Sequence, residues 1–390
     1  MRYVFEGISD AIGTAHEYHE LVEPIIHLSQ KQILGNVSEL ALNSAHGIAF
    51  HRGLGTPLVP VSSTPLGKYL NEESIASFAS SAYAKPNLAV VANGASQTEL
   101  TKWVGEFFTK ASSSGSALSS EATKYYGGEE RIAHGSGNSL VIAFPGSSSF
   151  TAGSSYKPEI AVLAALLGGK STIKWSPGFS LLSKASSSFP GASATTTNFS
   201  YSDAGLLAIE FSGSAEAIKG AAAEAVKALK GISDGSINAE DITKAIALAK
   251  YNALEEGQNI EAGLVSTGAG LVHGGKAFQI DQIGKSVEAV SADKLKSVCI
   301  LRATFHGTAN IVLGSKGTIG GQSDCFSCWR PARASLRRRV GSQGVDGQGR
   351  LFGTGGSGLY QQLLECIVDI RAILVYKTIP FVVEHRSMPM

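Results

Sequence analysis

Two histidines and two glutamates near the start of the chain have side chains that could bind a metal. They lie in the string His16-Glu17-Tyr18-His19-Glu20. Zinc peptidases hold the metal with two histidines on one helix and a further protein ligand, and a glutamate acts as general base. Here the second glutamate follows His19 instead of preceding it, which is not the order of a zinc-peptidase motif. We therefore expect His16 and His19 to lie on a solvated helical turn, and a metal site is the alternative.

The cysteines are a second set of candidate ligands, and all of them lie late in the chain. They are Cys299, Cys325, Cys328 and Cys366. Cys325 and Cys328 have the spacing of half a zinc site, but no second ligand pair accompanies them, so a zinc ion would stay half-coordinated. The sequence also has no haem-attachment string and no cysteine set spaced for an iron–sulphur cluster. We expect neither a catalytic residue nor a cofactor.

The composition predicts a folded protein with two or three domains. Of the 390 residues, 43% are hydrophobic and 17% are charged, and the net charge is +1. Such a small net charge gives no long-range attraction to nucleic acid or to an anionic membrane surface. No run of about 18 apolar residues is present. The first residues, MRYVFEGISD, have neither a secretory nor an organelle-targeting pattern. We expect a protein without a membrane span, a nucleic-acid partner or a presequence in this sequence.

The elements that would position these residues begin with two helices. Leu21, Ile25 and Leu28 recur at i, i+4 and i+7 and predict an amphipathic helix over about residues 15–34. A second helix is expected from about Ser38 towards Phe50. The glycine- and proline-rich string HRGLGTPLVP then ends it.

Two further helices and a strand are expected before residue 111. Asn71 is an expected N-cap, and Ser96 forms a capping box with Glu99. Between these helices, Asn87–Ala92 is predicted to be a strand that ends at an Asn-Gly turn. The predicted order is therefore helix, loop, helix, strand and helix.

The next part of the chain is predicted to be an α+β module. Residues 195–201 and 207–211 alternate in hydrophobicity around a Ser-Asp-Ala-Gly turn and predict a β-hairpin. A short strand and a helix precede the hairpin, and three helical stretches follow it, at about 214–230, 238–254 and 260–272. This order favours an antiparallel-rich sheet with helices on one face.

The chain divides into five parts by composition and pattern. Residues 112–123 are rich in serine and predict a flexible linker between two modules. The expected parts are an unmatched N-terminus at 1–12, a first module at 13–111, the linker at 112–123, a second module at 124–297 and an anomalous tail at 298–390.

Short strings recur in the two modules at an offset of about 220 residues. AFHRGLG at 49–55 and NEESI at 71–75 correspond to LVHGGKA at 271–277 and SADKL at 291–295. The correspondence predicts a duplicated domain whose first copy is truncated at its N-terminus.

A duplicated α+β module with these strings resembles the pitrilysin-type peptidase family. The strings that carry the resemblance are FASSAYAKPNLAVVANGA at 78–95 and KYYGGEERIAHGSGNSLVIAFPG at 124–146. The family's zinc site has His-x-x-Glu-His and a distal glutamate. The chain lacks that motif, and Ser29 occupies the position expected for the distal glutamate. The resemblance therefore implies an inactive member without catalytic or metal-binding residues.

Within this family, the strings are most similar to non-catalytic subunits of the mitochondrial complex that passes electrons from ubiquinol to cytochrome c. The resemblance implies a structural role at the inner membrane, on the matrix side. It implies pairing with core protein 1 and other subunits, and no small-molecule substrate. The alternatives are a zinc metallopeptidase, a presequence-binding α-type subunit of the mitochondrial processing peptidase, or a truncated product without an assembly partner.

The resemblance ends at about Ser297. A related chain would complete a helix there and add a last strand to the second sheet, whereas this sequence continues with SVCILRATFHGTANIVLG and a cysteine- and arginine-containing stretch. We expect residues from about 298 onward to be mistranslated or disordered.

Overall fold

The computed structural model describes residues 15–57, 71–108, 122–151, 155–169, 178–273, 276–304 and 309–314. The predicted N-terminal segment, nearly all of the predicted linker and the chain beyond Gly314 lie outside these ranges. The first described elements are helices. Helix α1 comprises Ala15–Glu17, a π-helical turn at Tyr18–Val22 and Glu23–Gly35; α2 is Val37–Phe50, α3 is Glu72–Ala82 and α4 is Gln97–Phe107.

Side-chain caps fix where three of these helices begin. Asn36 accepts a hydrogen bond from the backbone N–H of Glu39 at the start of α2. Asn71 caps α3, and Ser96 forms a capping box with Glu99 at the start of α4. Each cap satisfies backbone donors that have no partner within the helix. The predicted caps at Asn71 and Ser96 are confirmed.

The predicted strand at Asn87–Ala92 does not form among the described residues. Lys85–Asn87 is a short 3₁₀ turn, and residues 88–92 continue without regular secondary structure. A strand requires a neighbour to which its backbone N–H and C=O groups can bond. None of the described strands pairs with this segment, so this prediction is wrong for the described structure.

The second module contains a five-stranded sheet. Its strands are β1 (Gly128–Ala133), β2 (Asn138–Pro145), β3 (Ala192–Ser200), β4 (Gly205–Gly213) and β5 (Ala309–Gly314). The order across the sheet is β1-β5-β2-β4-β3. β5 is parallel to β1, and the other neighbouring pairs are antiparallel. The antiparallel-rich sheet and the predicted β3–β4 hairpin are confirmed.

Seven helices described in the second module complete it. They are α5 (Pro158–Leu167), α6 (Leu181–Ser187), α7 (Ala215–Asp234), α8 (Ala239–Gln258), α9 (Ile260–Val272), α10 (Ile280–Glu288) and α11 (Ala292–Thr304). Within the described residues, no helix has both the length and the hydropathy to cross a membrane.

The central strands β2 and β4 are buried on both faces of the sheet. Leu140, Ile142 and Phe144 of β2 belong to the core formed with α5, α7 and α8. Val141 and Ala143 point to the other face, where α2 of the first module covers them. The helices of the second module therefore lie on one face, as predicted, and a helix from the first module covers the other. A continuous apolar run in β2 is typical of a strand buried on both faces.

Regular structure continues past the boundary predicted at Ser297. Helix α11 extends to Thr304, and β5 is inserted between β1 and β2. In the described structure, regular elements of the sheet module thus extend to Gly314, and the domain boundary at Ser297 stays a prediction. β5 is held in the sheet by backbone hydrogen bonds to a strand on each side, β1 and β2.

Candidate functional site

Helix α1 carries the two histidines that were considered as metal ligands. Nδ1 of His16 lies 3.2 Å from Glu20, and Nδ1 of His19 lies 3.1 Å from Glu23. These are exposed pairs one helical turn apart, and each histidine faces a different carboxylate. A zinc site needs three or four ligands directed at one point. In the part of the chain that the structure describes, no three His, Cys, Asp or Glu side chains are placed to hold a metal ion.

The position assigned to the distal glutamate also lies on α1. Ser29 is half-buried, and its side chain is a neutral hydroxyl, which is not one of the thiolate, imidazole or carboxylate groups that bind zinc in proteins. The assignment of this position remains a prediction. Cys325 and Cys328 lie outside the described residues.

The contact between α2 and the second module brings together polar and aromatic groups of both modules. We call it the inter-module joint; it comprises α2, β2, the β3–β4 hairpin and residues 125–134. Ala41, Ala45 and Ala49 of α2 are fully buried. Small side chains at this spacing form one face of a helix and allow its backbone to approach the sheet closely.

A histidine–tyrosine hydrogen bond lies inside the inter-module joint. Nδ1 of His46 lies 2.8 Å from the carbonyl oxygen of Leu42, and Nε2 lies 2.8 Å from the hydroxyl of Tyr201. A carbonyl only accepts, so Nδ1 donates to Leu42, and in the neutral imidazole Nε2 accepts the proton of the Tyr201 hydroxyl. Burial lowers the pKa of the His46 imidazole, and the Leu42 carbonyl opposes that effect in part. The geometry and the lowered pKa both correspond to a neutral imidazole.

Aromatic rings surround this hydrogen bond. The ring of His46 lies 5.2 Å from Phe199 and 5.9 Å from Tyr201, both edge to face. Phe50 packs edge to face on Tyr125 at 6.0 Å and on Tyr201 at 6.4 Å. Such pairs add about 0.5–1.5 kcal/mol each beyond the apolar area that they bury. The cluster fixes the orientation of α2 relative to the sheet.

The ends of the first two helices are also bound by the second module. The backbone N–H of Tyr126 donates to the carbonyl of Ala49 at 2.8 Å. Nε2 of His134 lies 2.8 Å from the carbonyl of Leu34. The last carbonyl oxygens of a helix have no N–H donor within the helix. These contacts supply donors from the other module. The inter-module joint therefore holds two modules in a fixed arrangement, which is a structural role.

Sequence reasoning did not find the inter-module joint. His46 was part of a predicted helix, and Tyr201 was the end of a predicted strand. The two residues are 155 positions apart in the sequence, so no local sequence pattern indicates that they are in contact. The one available signal was the continuous apolar run of β2, which indicates a strand covered on both faces.

Residues 69–248 match the family described as "Peptidase M16 inactive domain". This part of the chain, which extends from before α3 into α8, belongs to that family of peptidase-like domains. The match confirms the predicted resemblance to the pitrilysin-type peptidases as an inactive member.

Two of the relatives to which the chain is similar carry the same name. It is 51% identical over 308 residues to "Cytochrome b-c1 complex subunit 2, mitochondrial" of Neurospora crassa, with 78% of this chain and 66% of the relative covered. It is 32% identical over 283 residues to the protein of that name in Cryptococcus neoformans, with 71% and 62% covered. The chain thus spans about two thirds of the length of these relatives.

A solved structure has the same fold. A chain in complex III2 from Candida albicans, solved with Inz-5 bound, superposes with a TM-score of 0.59 at 16% sequence identity. The superposition covers 80% of this chain and 76% of that chain. At this identity the likeness concerns the fold.

Proposed function

We propose that this chain is a structural, non-catalytic subunit of the mitochondrial ubiquinol–cytochrome c reductase, respiratory complex III. The observation that carries the proposal is the 51% identity to cytochrome b-c1 complex subunit 2 of Neurospora crassa over 308 residues. The match to an inactive peptidase domain supports a role without catalysis. Serine at position 29 agrees with it, because a serine supplies no carboxylate ligand.

The proposed partners are core protein 1 and other subunits of the complex. The subunit would be peripheral to the inner membrane and would lie on its matrix side. Stable subunit pairs bury large apolar surfaces, and the described residues include several exposed apolar side chains, among them Leu21, Leu28 and Leu271. The inter-module joint supports the same role, since a rigid two-module body is what an assembly subunit requires.

Co-purification tests the proposed assembly. A tagged form of the chain, with a mitochondrial targeting sequence added, would be produced in Neurospora crassa, and mitochondrial complexes would be isolated in a mild detergent. We expect the chain to migrate with core protein 1 and cytochrome b in native gels. If the tagged chain migrates apart from both, the proposed assembly is wrong and the truncated product without a partner is favoured.

Protease protection tests the proposed location. In mitoplasts, a matrix-side subunit is resistant to added protease and becomes sensitive only when the inner membrane is lysed. Carbonate extraction should release the chain into the soluble fraction if it is peripheral. Digestion in intact mitoplasts would place it on the other side of the membrane.

The rival function is enzymatic, either as a zinc metallopeptidase or as a presequence-binding partner subunit. Zinc content and presequence cleavage by the purified chain distinguish it from the proposed function. We expect zinc well below one ion per chain and no cleavage. We expect Ser29→Glu to leave zinc content unchanged, because one added carboxylate does not supply the remaining ligands. Stoichiometric zinc with peptide hydrolysis would establish the enzyme.

A further inference from the structure

The sequence contains a single Asn-Gly dipeptide, Asn93–Gly94, and it lies in an exposed bend between residues 88–92 and α4. Asparagine is a thermolabile residue, because its side-chain amide carbon can be attacked by the backbone nitrogen of the next residue. Glycine leaves that nitrogen accessible, since it has no Cβ atom. The dipeptide therefore has the composition of a site at which the chain can change covalently without an enzyme.

The structure leaves the backbone at Gly94 unrestrained. Among the described residues, none accepts a hydrogen bond from the N–H of Gly94. A Cβ atom built on Gly94 meets nothing within 4 Å, apart from its neighbours in the chain. Its φ is +82°, a conformation that glycine adopts without strain. The nitrogen can therefore turn towards the side chain of Asn93 without breaking a hydrogen bond or displacing another residue.

Two other asparagines that precede a small residue are held in regular structure. Asn43 and Asn138 are both followed by serine, and both are half-buried. Asn43 lies inside α2, and Asn138 begins β2, which is paired with a strand on each side. The backbone nitrogens of helices and central strands are engaged in hydrogen bonds. These two asparagines are therefore internal controls for the bend at Asn93.

We propose that Asn93 deamidates spontaneously in the folded protein, which converts the bend before α4 into a mixture of aspartate and isoaspartate. In the first step, hydroxide takes the proton of the Gly94 N–H, and the nitrogen attacks Cγ of Asn93. The new N–Cγ bond closes a succinimide ring. The bond between Cγ and the side-chain nitrogen breaks, and that nitrogen takes up a proton from water and leaves as ammonia.

In the second step, water opens the succinimide ring at one of its two carbonyl carbons. Opening at Cγ gives aspartate with the ordinary backbone. Opening at the backbone carbonyl carbon of residue 93 gives isoaspartate, in which the main chain passes through the side chain. One water is consumed and one ammonia is released, and nothing is oxidised or reduced. The reaction needs no reactant beyond solvent and is independent of the proposed function.

Either product adds a negative charge to an exposed position. The formal net charge of the chain falls from +1 to neutral, and proteins near zero net charge associate more readily. The new carboxylate lies shortly before the N-cap Ser96, at the end of α4 where the helix dipole favours a negative charge. The modification therefore changes the surface of the chain and leaves α4 folded.

Peptide mapping of the full chain tests the proposal. The purified protein would be incubated in mildly alkaline buffer and mapped by mass spectrometry over time. We expect the peptide with Asn93 to gain about 1 Da and to separate into two products. The peptides with Asn43 and Asn138 should be unchanged over the same period. No mass increase at Asn93, or an equal increase at Asn43 and Asn138, would overturn the proposal.

Asn93→Gln tests the chemistry of the first step. Glutamine keeps the amide but places it one carbon farther from the Gly94 nitrogen, and position 93 is exposed, so the fold is retained. We expect the variant to lose both the release of ammonia and the acidic form seen on ion exchange. In the unsubstituted chain the rate should rise with pH, because the attacking nitrogen must lose its proton. An acidic form that accumulates equally in Asn93→Gln would refute the assignment.

Ala253→Gly separates the effect of the bend from that of the dipeptide. The substitution places glycine after Asn252, an exposed residue inside α8. The N–H of residue 253 takes part in helical hydrogen bonding, which the N–H of Gly94 does not. In this variant we expect conversion at Asn252 to remain well below conversion at Asn93, with circular dichroism showing that the chain is folded. Equal conversion at the two positions would overturn the role of the bend.

Discussion

The hydroxyl of Tyr201 donates to Nε2 of His46 across 2.8 Å, and this hydrogen bond joins the first module to the second. His46 lies on α2, and Tyr201 follows β3 at the tip of the hairpin. Because the other imidazole nitrogen donates to Leu42, both nitrogens of this half-buried ring have partners. Polar groups inside a protein whose hydrogen bonds are all satisfied favour one arrangement of the surrounding elements.

Tyr201→Phe should destabilise the protein by about 1–2 kcal/mol. The variant keeps the ring contacts and removes the hydroxyl, so Nε2 of the half-buried His46 loses its hydrogen-bond donor. The free energy of unfolding, measured by urea denaturation, checks this. Tyr126→Phe is the matched control, since Tyr126 is an exposed tyrosine in the same region. An equal loss in both variants would contradict the role of the His46–Tyr201 hydrogen bond.

Stability should decrease as the pH falls below about 6.5, the pKa of an unperturbed histidine. Burial lowers the pKa of His46 in the folded protein, so the unfolded chain takes up a proton first. The contribution of His46 is therefore complete above the unfolded pKa and is lost as pH falls towards the folded pKa, at up to about 1.4 kcal/mol per pH unit.

Denaturation curves at a series of pH values test this linkage. His46→Gln should flatten the dependence between about pH 6.5 and 5. His51→Gln, which replaces an exposed histidine at the end of the same helix, is the comparison variant. A slope that survives in His46→Gln would assign the effect to other groups.

Ala45→Leu should destabilise the inter-module joint by about 1–3 kcal/mol. Ala45 is fully buried between α2 and the sheet, and a larger side chain there forces the helix away from β2. Ala239→Leu is the control, because Ala239 is exposed at the start of α8. Thermal unfolding of both variants gives the comparison. A stability equal to the unsubstituted protein would mean that α2 does not pack on the sheet as described.

Gly205→Ala should be strongly destabilising, by about 2 kcal/mol or more. A Cβ atom on Gly205 would overlap the backbone of Ser147, which runs beside the start of β4. Gly105→Ala is the opposite case: it lies within α4, and its added Cβ meets nothing within 4 Å. Alanine is the better helix former, so Gly105→Ala should stabilise by up to about 1 kcal/mol. Similar effects of the two substitutions on urea denaturation would contradict this.

Features with a local cause could be predicted from the sequence. Asn71 and Ser96 are capping residues whose partners lie within the next turn, and the structure contains both caps. The β3–β4 hairpin was also predicted, because alternation and turn residues occur together in a short stretch. In each case the interacting groups are near one another in the chain.

Features that depend on distant partners were missed. β1 is an edge strand with five of its six residues exposed, so it lacks the apolar alternation by which a strand is predicted. β5 lies beyond the predicted boundary at Ser297, and its pairing with β1 and β2 has no local signature. The segment at 88–92 has the composition of a strand, yet composition does not supply a neighbour.

At the candidate site, too, features with a local sequence signal could be predicted and contacts between distant residues could not. The family and the inactive character were predicted from strings and from a missing motif, and the match to an inactive peptidase domain supports both. The packing of α2 on the far side of the sheet could not be predicted. An apolar stripe shows that a helix is covered, but it does not identify the surface that covers it.

The central position of β5 determines when the sheet can be completed during synthesis. β1 has β5 as its neighbour in the sheet, and Gly128 pairs with Ala309. A ribosome must therefore translate most of the second module, and release residues 309–314 from its exit tunnel, before β1 can be incorporated. Until then the nascent polypeptide has an open edge at β2, which is a site for chaperone binding and for aggregation.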